Sequence, residues 1–116
     1  MPKFVAIGYG DEAGYQNTPP DIREASRAND DELKNQGVLM GMAGAPVQVR
    51  NHNATGVETR DGAYLSSRLP VTGFAIIEAV DQAEAVRMVS KSPSAVMQGV
   101  IEVWPILENR SLCKRG

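Results

Sequence analysis

The run TGFAIIEAV, Thr72 to Val80, reads as a strand with no polar side. Phe74, Ile76, Glu78 and Val80 alternate with Gly73, Ala75, Ile77 and Ala79, so both faces are largely apolar. The run KFVAIGY, Lys3 to Tyr9, divides in the same way, with Phe4, Ala6 and Gly8 on one side and Val5, Ile7 and Tyr9 on the other. A third run, GVIEVWPI from Gly99 to Ile106, closes the chain's patterned region. Working outward, Thr18-Pro19-Pro20-Asp21 offers a hydroxyl cap, a proline at the first helical position and an acid in the first turn. A helix is expected from there to about Asn35, with Ile22, Ala25, Ala28 and Leu33 as its apolar stripe and Asp30, Asp31, Glu32 and Lys34 in water. Gly37 stands where a left-handed residue ends such a helix.

Val38 to Met42 is expected as a strand that resumes past a bulge at Val47 to Arg50, and Asp81 caps a second helix running to about Lys91, which Ser92-Pro93 ends. Residues 47 to 65, with turns at Asn53 to Gly56 and Asp61-Gly62, read as a small β excursion that includes short strands at 57–60 and 63–65. The order is thus β-α-β, an excursion, then β-α-β. This predicts one α+β domain over 1–107, a ferredoxin-like split βαβ with an antiparallel sheet and two helices on one face, followed by an exposed tail over 108–116. Two helices cover only one face of such a sheet. The other would leave an apolar patch of roughly several hundred Å² in water, so a second copy packed sheet to sheet about a two-fold axis is expected. The competing arrangement is a monomer in which the 47–65 excursion folds over the open face.

Composition narrows the function classes. The chain has 116 residues, a net charge of −2, and basic residues scattered singly apart from Lys114-Arg115, which argues against nucleic acid as a partner. No apolar run reaches the roughly 20 residues of a membrane span, and no signal-peptide pattern follows Met1, so a cytoplasmic protein is expected. The single cysteine, Cys113, and single histidine, His52, leave no cluster for a metal, and no cofactor is expected. Gly8-Tyr9-Gly10 is only a fragment of a dinucleotide fingerprint, and carboxylates follow where phosphate would approach. The two glycosylation-type triplets at Asn53 and Asn109 read as chance matches.

The chemistry-bearing candidates lie on the strands and their exits. Glu78 sits among apolar residues, and Glu102 alternates with Val100 and Trp104. Buried between sheets, these carboxylates would have raised pKa values and suit general acid work; at a rim they would simply reach water. Asp11 and Glu12 follow the first strand as turn residues, and Asp11 with Tyr9 and Tyr15 could line a cleft mouth.

The pieces YGDE, NQGVLMGMAG, VQVR with RDG, GFAIIEA and SPSAVMQGVIEVWPI together resemble the YCII-related (DGPF-type) domain family over residues 3 to about 107. The resemblance implies a dimeric α+β barrel. It also implies differences: Ser66-Ser67-Arg68-Leu69-Pro70 stands where D-G-P-F would be, and the family's proposed histidine and aspartate positions fall on Ser26 and Ser92. A serine cannot act as an imidazole base near neutral pH. The sequence therefore suggests a homodimeric small-molecule-binding domain with a pocket at the sheet face, with Tyr9, Ser26, Glu78 and Trp104 as ligand-binding candidates. The alternative is an isomerase or lyase in which Asp11 or Glu102 moves a proton. A third reading is a structural or regulatory partner that uses the excursion as its contact surface.

Overall fold

The computed structural model describes residues 1–107. The expected tail over 108–116, with Cys113 and the second glycosylation-type triplet, lies outside the described residues. In chain order the elements are β1 (Lys3–Tyr9), α1 (Glu12–Gln16), α2 (Pro20–Asn35), β2 (Leu39–Met42), β3 (Val47–Arg50), β4 (Glu58–Asp61), β5 (Val71–Glu78), α3 (Gln82–Val89), α4 (Pro93–Val96) and β6 (Val100–Ile106). A single 3-10 turn spans His52–Ala54.

Four strands form one antiparallel sheet in the order β2-β5-β1-β6, the ferredoxin-like arrangement of an α+β fold. Its register sets Phe4 opposite Ile77, and Ala6 between Ala75 and Val103. These side chains meet Ala79, Ala85 and Val89 in the core, with Ile77 fully enclosed. Small residues dominate this core. Gly73 lies so near β2 that a Cβ there would stand 2.6 Å from the Gly41 carbonyl oxygen.

The opposite face carries Val5, Ile7, Ile76 and the exposed Leu39, Phe74, Val100, Trp104 and Ile106. The excursion does not cover it. β3 and β4 pair with each other as a separate two-stranded sheet and pack chiefly on each other, leaving Val47 and Val49 exposed. The radius of gyration of 16.5 Å accordingly exceeds the roughly 13 Å of a compact chain of this length. β3 is therefore not a continuation of β2, and residues 63–65 form no strand; Gly62, at a φ of +100°, ends β4.

The helices depart from expectation at their polar positions. α1 replaces what read as a loop: the Asp11 carboxylate caps it, accepting from the Gly14 amide at 2.9 Å. Thr18 does not cap α2, which starts after Pro19. The Thr18 hydroxyl instead donates to the Gly14 carbonyl at 2.7 Å. At the other end α2 closes as expected. Gly37 adopts a φ of +97°, its amide reaches the Lys34 carbonyl, and the Val38 amide reaches that of Leu33, the paired bonds of a Schellman ending. Asp81 caps α3 through the Glu84 amide at 2.9 Å. Ser92-Pro93 ends α3 and starts the further turn α4.

The face that α2 turns inward is the largest correction. Ile22, Ala25 and Ala28 are exposed, and the buried or half-buried positions are Arg23, Ser26, Asn29, Asp30 and Leu33. Asp30, expected in water, points inward. Among the described residues no helix is long and apolar enough to cross a membrane.

The enclosure of Ile77 predicts that Ile77→Ala lowers unfolding free energy by about 2–5 kcal/mol. The urea midpoint should fall accordingly, with an unchanged dependence on denaturant.

Candidate functional site

The polar inward face of α2 exists because no continuous core lies beneath it. Between α1, α2, α4 and the helix-covered face of the sheet lies a cleft of about 630 Å³. Its floor is made of residues with little or no side chain, Ala6, Gly8, Gly73 and Ala75, with Met40 and Met97 beside them. Gly8 keeps the floor low, because a Cβ there would stand 2.6 Å from the Ser94 hydroxyl, which is itself hydrogen-bonded to the Thr72 hydroxyl at 2.8 Å.

The mouth is ionic. α1 contributes Asp11, Glu12 and Tyr15, and α2 contributes Arg27, Asp30 and Lys34, three residues that recur on one side of the helix at spacings of three and four. Most of these groups are already engaged. Asp11 caps α1, Glu12 accepts from Gln16 at 2.8 Å, and Arg27 donates to the Tyr15 hydroxyl at 3.1 Å. The Arg23 guanidinium stacks 4.2 Å from the centre of the Tyr15 ring. The Arg27 hydrogen bond, followed by the charges of Arg23 and Arg27, holds the Tyr15 phenol below its ordinary pKa.

Asp30 differs from its neighbours. Its Oδ1 is fully buried and has no hydrogen-bond partner among the described residues. A buried acceptor left unsatisfied costs about 1–3 kcal/mol, more when charged, so such atoms mark places where something else belongs. Behind it, Asn29 donates to the Met88 carbonyl at 3.3 Å and to the Ser92 hydroxyl at 3.2 Å, fixing α2 against α3 and α4.

The residues singled out by sequence fall into three places. Asp11 lines this cleft. Tyr9 and Glu102 meet on the opposite face of the sheet, where the Tyr9 hydroxyl donates to Glu102 Oε1 at 2.6 Å beneath the segment Leu65 to Leu69, which bounds a smaller hollow of about 200 Å³. Trp104 shares that face two residues further along β6, half exposed and opposite Val5. Glu78 sits at the exposed end of β5, 3.9 Å from Lys3. Ser26 is buried within α2 and donates to the Arg23 carbonyl at 2.7 Å, so its hydroxyl is directed at its own helix. The structure thus joins Tyr9 to Glu102 and leaves Glu78 and Ser26 apart from both hollows.

Sequence reasoning missed Arg27, Asp30 and Lys34 as a group, because it assigned Asp30 and Lys34 to a solvated face. The available signal was the spacing of these three ionic residues along one helix. Among the described residues no three His, Cys, Asp or Glu side chains gather in a way that could hold a metal ion.

The family model for the YCII-related domain matches residues 3–110, nearly the whole chain. No curated protein gives a significant match.

The Tyr9–Glu102 bond carries a pH signature. The Tyr9 phenol is pushed up to about 12 from 10.0, first by its hydrogen bond to Glu102, then by burial and by the Glu102 charge. The folded chain therefore holds this proton more tightly than the unfolded chain. The resulting stabilisation is complete below about pH 10 and is lost as pH rises through about 12. In a tyrosinate absorbance titration, one of the three tyrosines should ionise near pH 12. Tyr9→Phe should remove that step and cost about 1–3 kcal/mol at neutral pH.

Proposed function

We infer that this chain, which belongs to the YCII-related domain family, is a homodimeric small-molecule-binding domain whose ligand lies in the cleft between the helices and the sheet. The observation that carries the reading is the cleft itself. At about 630 Å³ it falls within the roughly 300–1,000 Å³ typical of small-molecule sites, and it combines a low apolar floor with a few polar groups at one edge.

The dimer is supported by the other face. Leu39 is 72% exposed, Trp104 56%, Val100 50% and Phe74 49%, and these side chains lie together on one sheet surface with Val5, Ile7 and Ile76. Leaving that area in water is unfavourable by about 25 cal/mol per Å², and a second copy removes it from water by the simplest closed symmetry. The Tyr9–Glu102 pair lies on that face, so its carboxylate would enter the interface already hydrogen-bonded.

The alternative, an isomerase or lyase using Asp11 or Glu102, draws less support from the geometry. The Asp11 carboxylate is held by the α1 amide and that of Glu102 by the Tyr9 hydroxyl. Tyr15, with its phenol lowered by Arg27 at the cleft mouth, is the better placed proton-transfer group if turnover is found.

Two measurements test the two parts separately. Light scattering at micromolar concentration should give twice the chain mass, and Trp104→Glu should give a monomer; a monomeric parent protein removes the dimer. A fragment screen of small aromatic acids and amines should shift the amide resonances of Gly8, Gly41 and Gly73. A library that moves none of them sinks the cleft reading.

A further inference from the structure

We propose that Asp30 and Lys34 make the helix-face cleft a site for a small zwitterion with an apolar body, of the α-amino-acid class, the ammonium taken by Asp30 and the carboxylate by Lys34. The proposal rests on the reading of the cleft as a ligand site and goes further by naming the ligand's chemistry.

Most of the ionised groups at the mouth are held within the chain. Asp11 is committed to the Gly14 amide, Glu12 to Gln16, and Arg27 to the Tyr15 hydroxyl. Asp30 and Lys34 remain. Among the described residues neither forms an ion pair and Asp30 Oδ1 has no donor. The two uncommitted groups carry opposite charges, and they stand four residues apart on one helix, where Cβ atoms are separated by roughly 5–6 Å. A ligand whose two charges lie close together, as they do when an ammonium and a carboxylate share one carbon, can therefore meet both groups at once.

Charge selects among ligands. The Asp30 carboxylate lines the cleft with one oxygen unsatisfied, and it is best compensated by a cation that also donates, which an ammonium does and a neutral hydroxyl does only in part. An anion alone would satisfy Lys34 and leave Asp30 unpaired. A simple amine would do the reverse. The floor then specifies the remainder of the molecule. Ala6, Gly8, Gly73, Ala75, Met40 and Met97 present no charged group, and the Thr72, Ser94 and Ser92 hydroxyls that also line the cleft are hydrogen-bonded within the chain, so an apolar body suits the part of the ligand beyond its charged end, and the two methionines can adjust to its shape.

The test uses three probes of nearly equal size on the 116-residue chain: L-phenylalanine, 3-phenylpropionate, which lacks the ammonium, and 2-phenylethylamine, which lacks the carboxylate. Affinities come from calorimetry and locations from amide shifts at Gly8, Gly41 and Gly73. L-Phenylalanine should bind at least about tenfold more tightly than either truncated probe. Asp30→Asn should reduce its advantage over 3-phenylpropionate to about one, and Lys34→Met should do so for 2-phenylethylamine. Both side chains reach the cleft edge, and thermal melts of the two variants should match the parent closely enough to show that the fold is retained. Equal affinities for the three probes, with the glycine shifts present, overturn the zwitterion and leave the cleft site standing. If no probe shifts those glycines, both inferences are lost. Retained discrimination in Asp30→Asn overturns the assignment of Asp30.

Discussion

A single layer of helices can cover only one face of a sheet, and in this chain both faces were built apolar. The β1–β5 pairing makes that constraint concrete. Phe4 and Ala6 meet Ile77 and Ala75 beneath the helices, while Val5 and Ile7 meet Ile76 and Phe74 on the side the helices never reach. The core on the covered side is narrow because so many of its residues are alanine and glycine, which draws the helices close at one end of the sheet. The uncovered side is broad, and its exposed tryptophan and phenylalanine are large side chains that no described residue covers. Almost every other feature of the molecule is arranged around one of these two surfaces.

The same smallness that allows close packing also opens the cleft. Where Gly8, Gly73, Ala6 and Ala75 form the floor, no side chain rises to fill the space under α2. A helix over a cavity gains little from apolar residues on its inner face, since these would be buried against nothing. α2 instead turns Ser26, Asn29 and Asp30 inward and leaves Ile22 and Ala25 in water. Its attachment relies on polar contacts: Asn29 binds α3 and α4 through the Met88 carbonyl and the Ser92 hydroxyl, and Leu33 supplies the one deeply buried apolar side chain of the helix. Such an attachment provides less cohesion than a packed stripe. It is an arrangement that suits a site better than a core.

This inversion separates the features that could be read from the sequence from those that could not. The strands were legible because a short run that alternates between two apolar faces fits a strand covered on both sides and little else. The C-terminal glycine of α2 and the Asp81 cap were legible because each follows from backbone hydrogen-bond requirements. The family resemblance was legible over nearly the span that the family model matches. The inner face of α2 was not legible, because an amphipathic helix is read by assuming that its apolar side faces in, and here it does not. Asp11 was legible as the end of a strand but not as a cap, since α1 is too short to carry a periodic signal. The excursion was recognised as β structure, yet whether it covered the sheet or stood apart depended on long-range packing that no local pattern encodes.

The two surfaces also differ in how their carboxylates are treated, and that contrast bears on the proposed interface and the proposed ligand site. On the open face Glu102 accepts a short hydrogen bond from Tyr9, so a negative charge placed among apolar residues is satisfied within the chain. On the helix face Asp30 has a buried oxygen that no described residue satisfies, even though Arg27 and Lys34 flank it on the same helix. Had stability alone shaped that position, either cation could have been drawn into an ion pair, at the usual modest gain for neighbours on a helix. Arg27 is turned instead to Tyr15, and Lys34 remains unengaged among the described residues. An interface can be formed from satisfied groups, because its purpose is to exclude water. A binding site must keep some groups unsatisfied, because only those can distinguish one ligand from another.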